Sequence, residues 1–261
     1  MSVFESIILG LIQGLTEFIP ISSSGHLVIA QNFFAGASNH LFLEWINIGT
    51  MLALIYYFRK KIGSTVRELF VERKYALTRN IVLTAIPAGL IGYLAADFIE
   101  ESTFFGSVVV VAVMLAVVGI ALIVLENLPR ASAVSNGEKL SSKRAILIGF
   151  MQTLALIPGT SRSGITIIAG RLSGLNPKEA AEYSFLVSIP IMLGVTAKVM
   201  LQDTSYFMDN FEALLVGNLF AFASGLLAVG FLMKYLSKHS LAVFGWYRLG
   251  LATVLVGILL L

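Results

Sequence analysis

The sequence predicts an all-α polytopic membrane protein of two inverted-topology repeats, each a re-entrant helical hairpin plus three transmembrane helices. Three observations carry that prediction. Of 261 residues, 57% are apolar and 13% charged, with a mean hydropathy of +0.88, which lies outside the range of soluble globular domains. The apolar runs are far longer than barrel strands, and only helices and closed barrels satisfy their own backbone in lipid. The two halves of the chain also repeat one another at a nearly constant offset.

A crossing needs roughly 20 apolar residues. Phe4–Leu15 and Leu27–Phe34 are each too short. Pro20 and Gly25 bound a short irregular segment carrying Ser22, Ser23 and Ser24, so the two arms read as a hairpin with a serine tip. Leu41–Phe58, Ile81–Ala96 and Phe104–Leu125 can span. After a polar linker at about 127–144, Ile146–Ile157 is again short, breaks at Pro158-Gly159 and resumes at Ile165. Tyr183–Leu201, Phe211–Leu236 and Leu241–Leu261 can then each cross. The chain thus reads as one membrane domain over 1–261, with repeat 1 at about 1–126 and repeat 2 at about 145–261.

An offset of 139, from Gln13 to Gln152, also pairs Gly10 with Gly149, Leu15 with Leu154, Ser22 with Ser161, Ser24 with Ser163 and Gly25 with Gly164. An offset of 138 pairs Glu44 with Glu182, Asn80 with Asn218, and Val118-Gly119-Ile120 with Val256-Gly257-Ile258. Three crossings per repeat is an odd number, so the second repeat must be upside down. Charge placement agrees, because short cytoplasmic loops favour Lys and Arg. Arg59, Lys60, Lys61, Arg67, Arg73, Lys74 and Arg79 follow the first crossing. Arg130, Lys139, Lys143 and Arg144 mark the linker, and Lys234 and Lys238 a late loop. The alternate loops carry Asp97, Glu100 and Glu101, then Asp203, Asp209 and Glu212. Both termini are therefore expected outside, with Lys198 a minor misfit that can snorkel. The basic loops are topology signals and imply no nucleic acid.

The N-terminus lacks a basic n-region and an A-x-A site, so no cleaved signal peptide is expected. With no cysteine there is neither a disulfide frame nor a thiolate metal site. Without the lysine of a P-loop or a preceding strand, the glycine-rich stretches do not predict nucleotide binding.

Paired interrupted segments in inverted repeats point to a binding site near the bilayer midplane. Here they would bring residues 13–26 to residues 152–166. In the first, Gln13 and Glu17 are four apart and share a helix face. His26 opens the next arm. The second reads P-G-T-S-R-S-G-I-T, Pro158 to Thr166. A glycine-bounded Ser/Thr turn opening a helix offers N–H groups and hydroxyls to an anion. Arg162 adds a fork matched to phosphate oxygens. A cation, hydroxyl nucleophiles and a titratable base in one pocket suit phosphoryl transfer.

The motifs Q-G-L-T-E-F-I-P-I-S-S-S-G-H (Gln13–His26) and P-G-T-S-R-S-G-I-T resemble those of the undecaprenyl-diphosphate phosphatase family, the bacitracin-resistance type of integral membrane phosphatase. The resemblance implies hydrolysis of undecaprenyl (polyprenyl) diphosphate to the monophosphate and inorganic phosphate, recycling the lipid carrier of cell-wall synthesis. It implies a divalent cation, Mg2+ or Ca2+, and a plasma-membrane site open to the outer face. The matching functional positions are Gln13, Glu17, Ser23, His26, Ser161, Arg162 and Thr166. The family has Glu or Gln at the first of these, and Gln13 weakens any scheme needing two metal-binding carboxylates.

On this reading Arg162, Ser161, Ser163, Thr166 and Gly159 hold the diphosphate, and Ser23 attacks phosphorus with His26 or Glu17 as base. Glu17 with Gln13 is the alternative cation site. A rival scheme makes His26 the nucleophile. Structural readings stand beside these: a buried Glu17–Arg162 ion pair, a helix-start histidine, capping serines, and Glu44 and Glu182 placed by helix dipoles. Asn47 is a weaker candidate for the pocket lining. Trp246-Tyr247-Arg248 reads as an interfacial anchor. The competing function is a lipid transporter or flippase. Expected partners are the polyprenyl diphosphate and membrane lipids, with a homodimer left open.

Overall fold

The computed structural model describes residues 1–31, 33–34, 39–128, 134–202 and 204–260. Its helices are α1 (Val3–Phe18), α2 (Ser23–Gln31), α3 (His40–Tyr57), α4 (Arg59–Phe70), α5 (Ala76–Leu94), α6 (Ala96–Glu101) and α7 (Val108–Asn127). They continue with α8 (Ser142–Gln152), α9 (Arg162–Leu172), α10 (Pro177–Gln202), α11 (Thr204–Asp209), α12 (Phe211–Tyr235) and α13 (Ala242–Leu260). Arg130, Asp203 and Leu261, and the side chains of Asp97 and Glu100, lie outside the described residues.

Among the described residues five helices, α5, α7, α10, α12 and α13, are each long and apolar enough to cross a membrane; α3 joins them when taken with α4 across a 71° bend. All six fall on the predicted spans. Exposed leucines, valines and aromatics such as Leu90, Tyr93, Val109, Leu219 and Val254 run around the outside of the bundle. That suits hydrocarbon as the solvent.

Several boundaries differ from the sequence expectation. The basic stretch after α3 is a helix, α4, with none of its residues buried. Ile62, Val66 and Phe70 recur every four residues there, which gives a helical period on a charged background. At the N-terminus, α1 starts on a reciprocal cap: Glu5 N–H donates to Ser2 Oγ at 3.2 Å, and Ser2 N–H donates to Glu5 Oε2 at 3.0 Å. The first break is shorter than expected. It covers Ile19 to Ser22, and Ser23, Ser24 and Gly25 already belong to α2. In the second, Ser161 Oγ accepts from Gly164 N–H at 3.2 Å and so starts α9 at Arg162, three residues before Ile165. Pro177 at the first position of α10 needs no N–H partner and starts that helix early.

The packing rests on small residues. Gly10 and Gly14 of α1 lie so close to Gly217, Ala221 and Ser224 of α12 that a Cβ would collide. Gly149 of α8 sits likewise on Thr84 and Pro87 of α5, and Gly119 of α7 on Gly245 of α13. Without a hydrophobic drive between helices in lipid, such backbone approach is what holds them together.

The outer ends of the two arms of each short hairpin approach one another. The Phe4 ring at the start of α1 lies 6.4 Å from Phe34, beyond α2. Val134, ahead of α8, donates its N–H to Gly174 O, beyond α9, at 2.8 Å. The basic stretch after α3 meets the linker and α10. Lys61 of α4 pairs with Glu182 of α10 at 3.7 Å, and Asn80 Nδ2 donates to Gly137 O at 2.9 Å and to Leu140 O at 2.8 Å in the linker.

Candidate functional site

The two hairpin tips touch. Gly159 N–H donates to Ser24 Oγ at 3.0 Å, and Ser163 Oγ donates to the Glu17 carbonyl at 3.3 Å. Their backbones share a device. Ser22 has φ of 72° and Ser161 of 69°, a region that costs a non-glycine residue on the order of 1–3 kcal/mol and persists where its surroundings enforce it. Each of these serines accepts an N–H three residues on and bonds the hydroxyl two residues on: Ser22 to Ser24 at 2.9 Å, Ser161 to Ser163 at 3.1 Å.

Glu17 is the hub, placed there by the last turn of α1. Its Oε1 accepts from Arg162 Nη2 at 2.7 Å, and its Oε2 accepts from Ser23 Oγ at 2.9 Å and from Gln13 Nε2 at 3.0 Å. Gln13 Nε2 also donates to Asn47 Oδ1 at 2.6 Å, which brings α3 into the network. The Arg162 and Glu17 side chains are 17% and 15% exposed, so the pair is largely desolvated yet reachable. Arg162 Nε is buried without a partner, so the guanidinium retains donors beyond the one given to Glu17.

His26 is held at both nitrogens. Nδ1 lies 2.8 Å from Ser22 O and Nε2 lies 2.7 Å from Tyr247 Oη. The carbonyl only accepts, so Nδ1 carries a proton, and in the neutral ring Nε2 accepts from the phenol. The two rings stack at 5.6 Å.

Glu17, Gln13, Ser23, Arg162, Ser161 and Ser163 therefore come together. Three sets of contacts bear on the expected roles. Ser23 bonds Glu17, and the His26 nitrogens are engaged elsewhere, so of the two expected bases it is the carboxylate that touches the hydroxyl. Gly159 spends its N–H on Ser24 and its carbonyl on Arg248 Nη2 at 2.6 Å. With φ of 88° and the Val111 carbonyl oxygen 2.5 Å from where a Cβ would be, its task is to let the loop pass over α7. Thr166 is buried, with its hydroxyl on Arg162 O at 2.7 Å, Ser163 O at 3.2 Å and Ser184 Oγ, so it braces the first turn of α9 from behind.

Sequence reasoning missed Tyr247 and Arg248 as parts of the site. The signal was present: a charged residue well inside an apolar span is costly and defaults to function.

For a cation the donors fit one mode. No group of three His, Cys, Asp or Glu able to hold a metal occurs among the described residues. Mg2+ is commonly bound through one carboxylate with substrate phosphates completing its shell, and Glu17 offers that carboxylate; the Gln13 atom against it is the donor Nε2, which bridges to the Asn47 amide oxygen.

The chain is similar to known proteins along nearly its whole length. The chain is 39% identical over 98% of its length to "Undecaprenyl-diphosphatase 3" of Acinetobacter baylyi, 98% of which is covered. It is 37% identical to "Undecaprenyl-diphosphatase" of Streptococcus gordonii, over 98% of this chain and 95% of that one. To the protein of the same name from Caldanaerobacter subterraneus it is 39% identical, over 98% and 94%. The model of the family described as "Bacitracin resistance protein BacA" matches residues 6–254, and the chain belongs to that family.

Proposed function

We propose that this chain is a membrane phosphatase that hydrolyses undecaprenyl diphosphate to the monophosphate and inorganic phosphate. The single observation that carries the reading is the contact of Arg162 from the late loop with Glu17, which also holds Ser23, from the early loop. It joins a phosphate-binding cation, a hydroxyl and its base in one place, which pure transport does not require.

In the mechanism proposed, the free donors of Arg162 and the hydroxyls of Ser161 and Ser163 hold the phosphates. Ser23 Oγ attacks the terminal phosphorus while its proton passes to Glu17 Oε2. The P–O bond of the phosphoanhydride breaks, and the lipid monophosphate leaves with the bridging oxygen. Glu17 gives that proton to the departing monophosphate; water then attacks the phosphoserine, passing a proton to the freed carboxylate, which returns it to the Ser23 oxygen as inorganic phosphate is released. A divalent cation at Glu17 would neutralise phosphate charge. His26, neutral and bonded to Tyr247, lines the site and fixes the entry to α2. His26 as nucleophile would first require Tyr247 to leave Nε2.

The architecture proposed is two inverted repeats with both hairpins re-entrant. It is supported by the matched serine devices and by the exchange of partners, α1 on α12 and α8 on α5. The meeting of the basic stretch after α3 with the linker supports a cytoplasmic assignment for both, external termini and a site served from the outer leaflet. Broken helices in such repeats also favour transport as a second reading. Purified protein in detergent separates the two. Release of phosphate from a polyprenyl diphosphate, with an acid-stable phosphoenzyme on Ser23, is the expected result. An acid-labile phosphate on His26 would replace Ser23 as the nucleophile, and no hydrolysis would leave transport.

A further inference from the structure

Arg248, on α13, is the largest fully buried side chain among the described residues, at 0% exposure. Its donors all go to carbonyl oxygens. Nε donates to Leu115 O at 3.2 Å, Nη1 to Pro20 O at 3.3 Å, and Nη2 to Gly159 O at 2.6 Å, Met114 O at 3.2 Å and Thr160 O at 3.2 Å. Pro20 belongs to the tip of the early hairpin, Gly159 and Thr160 to the tip of the late one, and Met114 and Leu115 to α7. One guanidinium thus ties both tips to the helix beneath them.

Two consequences follow from elementary chemistry. A trans peptide is planar, so turning the Thr160 carbonyl toward Arg248 turns the Ser161 N–H the opposite way. That peptide lies immediately ahead of Ser161, where φ is positive, and of Arg162. Second, Glu17 balances the charge of Arg162, whereas none of the five acceptors of Arg248 is a carboxylate. A desolvated cation held by carbonyl dipoles alone keeps a positive potential around it that an anion nearby relieves.

We propose that Arg248 is a positioning residue for the diphosphate: it fixes the peptide planes of both tips and supplies the uncompensated charge behind them. It does not touch the substrate, because its nitrogens are already engaged. The inference rests on the phosphatase reading for its ligand, and on the geometry of both tips for its role.

The test uses purified full-length protein, with phosphate release, binding of methylenediphosphonate as a non-hydrolysable diphosphate, and thermal unfolding measured together. Arg248→Lys keeps the charge but cannot bridge both tips and α7, and a tenfold or greater loss of kcat and of diphosphonate affinity is expected in the folded protein. Arg248→Gln loses the charge as well, and its loss should exceed that of the lysine variant. Folded variants with unchanged kcat and diphosphonate affinity, or losses that merely track the folded fraction, overturn the proposal. If neither variant folds, amide exchange in the wild type decides. Added diphosphonate should protect the amides of Ser161 to Ser163, and unchanged exchange there overturns it. A wild type that binds diphosphonate in an Arg248-dependent way but releases no phosphate refutes the hydrolytic reading and supports this one.

Discussion

The two hairpin tips have the same backbone and different chemistry. At residues 139 apart, Ser22 and Ser161 take the same positive φ, cap the following helix and bond the serine two further on. The next position then diverges, Ser23 in one and Arg162 in the other. The supports diverge as well: Glu17 corresponds to Leu156, and His26 to Ile165. The early tip therefore holds a hydroxyl in contact with a carboxylate, and the late tip holds the guanidinium. Neither is a site by itself. What the pair teaches is that a strained serine turn makes a cradle for a helix start, and that reactivity depends on what reaches it from outside the turn.

That division of labour is open to direct attack. The largest effect is expected for Arg162→Ala. It removes the phosphate clamp, a role that costs about a thousandfold or more in kcat where arginines stabilise transferring phosphoryl groups. It also strands Glu17 in a largely desolvated site, a loss on the order of 3–5 kcal/mol when one partner of a buried pair goes. Phosphate release and thermal unfolding read the two separately. Next comes Ser23→Ala, expected to lower kcat by about a hundredfold or more through loss of the nucleophile. Ser163→Ala, on the cationic tip, should cost roughly tenfold or less, the worth of one hydrogen bond. Reversal of that order in steady-state assays would mean that the tips have been assigned the wrong way round. Smallest is Tyr247→Phe. It frees His26 Nε2 and should change kcat only roughly two- to tenfold, as for one neutral hydrogen bond. A loss as large as that of Arg162→Ala would make His26 and Tyr247 central to the chemistry.

The spans were legible because hydrocarbon demands long apolar helices, and the offset between Gln13 and Gln152 directed attention to the two tips. The pairing of Arg162 with Glu17 was legible too, since isolated charges in lipid need partners. Local detail was not. The sequence placed Ser23 in an irregular tip, because clustered serines signal turns, whereas Ser22 takes all the strain and lets α2 begin at once. Gly159 and Thr166 match a phosphate-binding pattern by type, but contacts with Ser24, Arg248 and Ser184 consume their polar groups. Those contacts come from remote segments, which local spacing does not reveal. Arg248 was misread for a related reason. Its position on α13 suggested an interfacial anchor that pairs or snorkels, and only the folded chain brings five carbonyls to it.

The central claim is that a guanidinium and a carboxylate from opposite halves of the chain act as one unit. A double-mutant cycle on Glu17→Gln and Arg162→Gln, read as unfolding free energy in detergent, measures it most directly. Contact as found here predicts a coupling of about 1–3 kcal/mol, with the double variant less impaired than the sum of the singles. Additive effects would mean that the two halves do not meet at this pair, and would contradict the account.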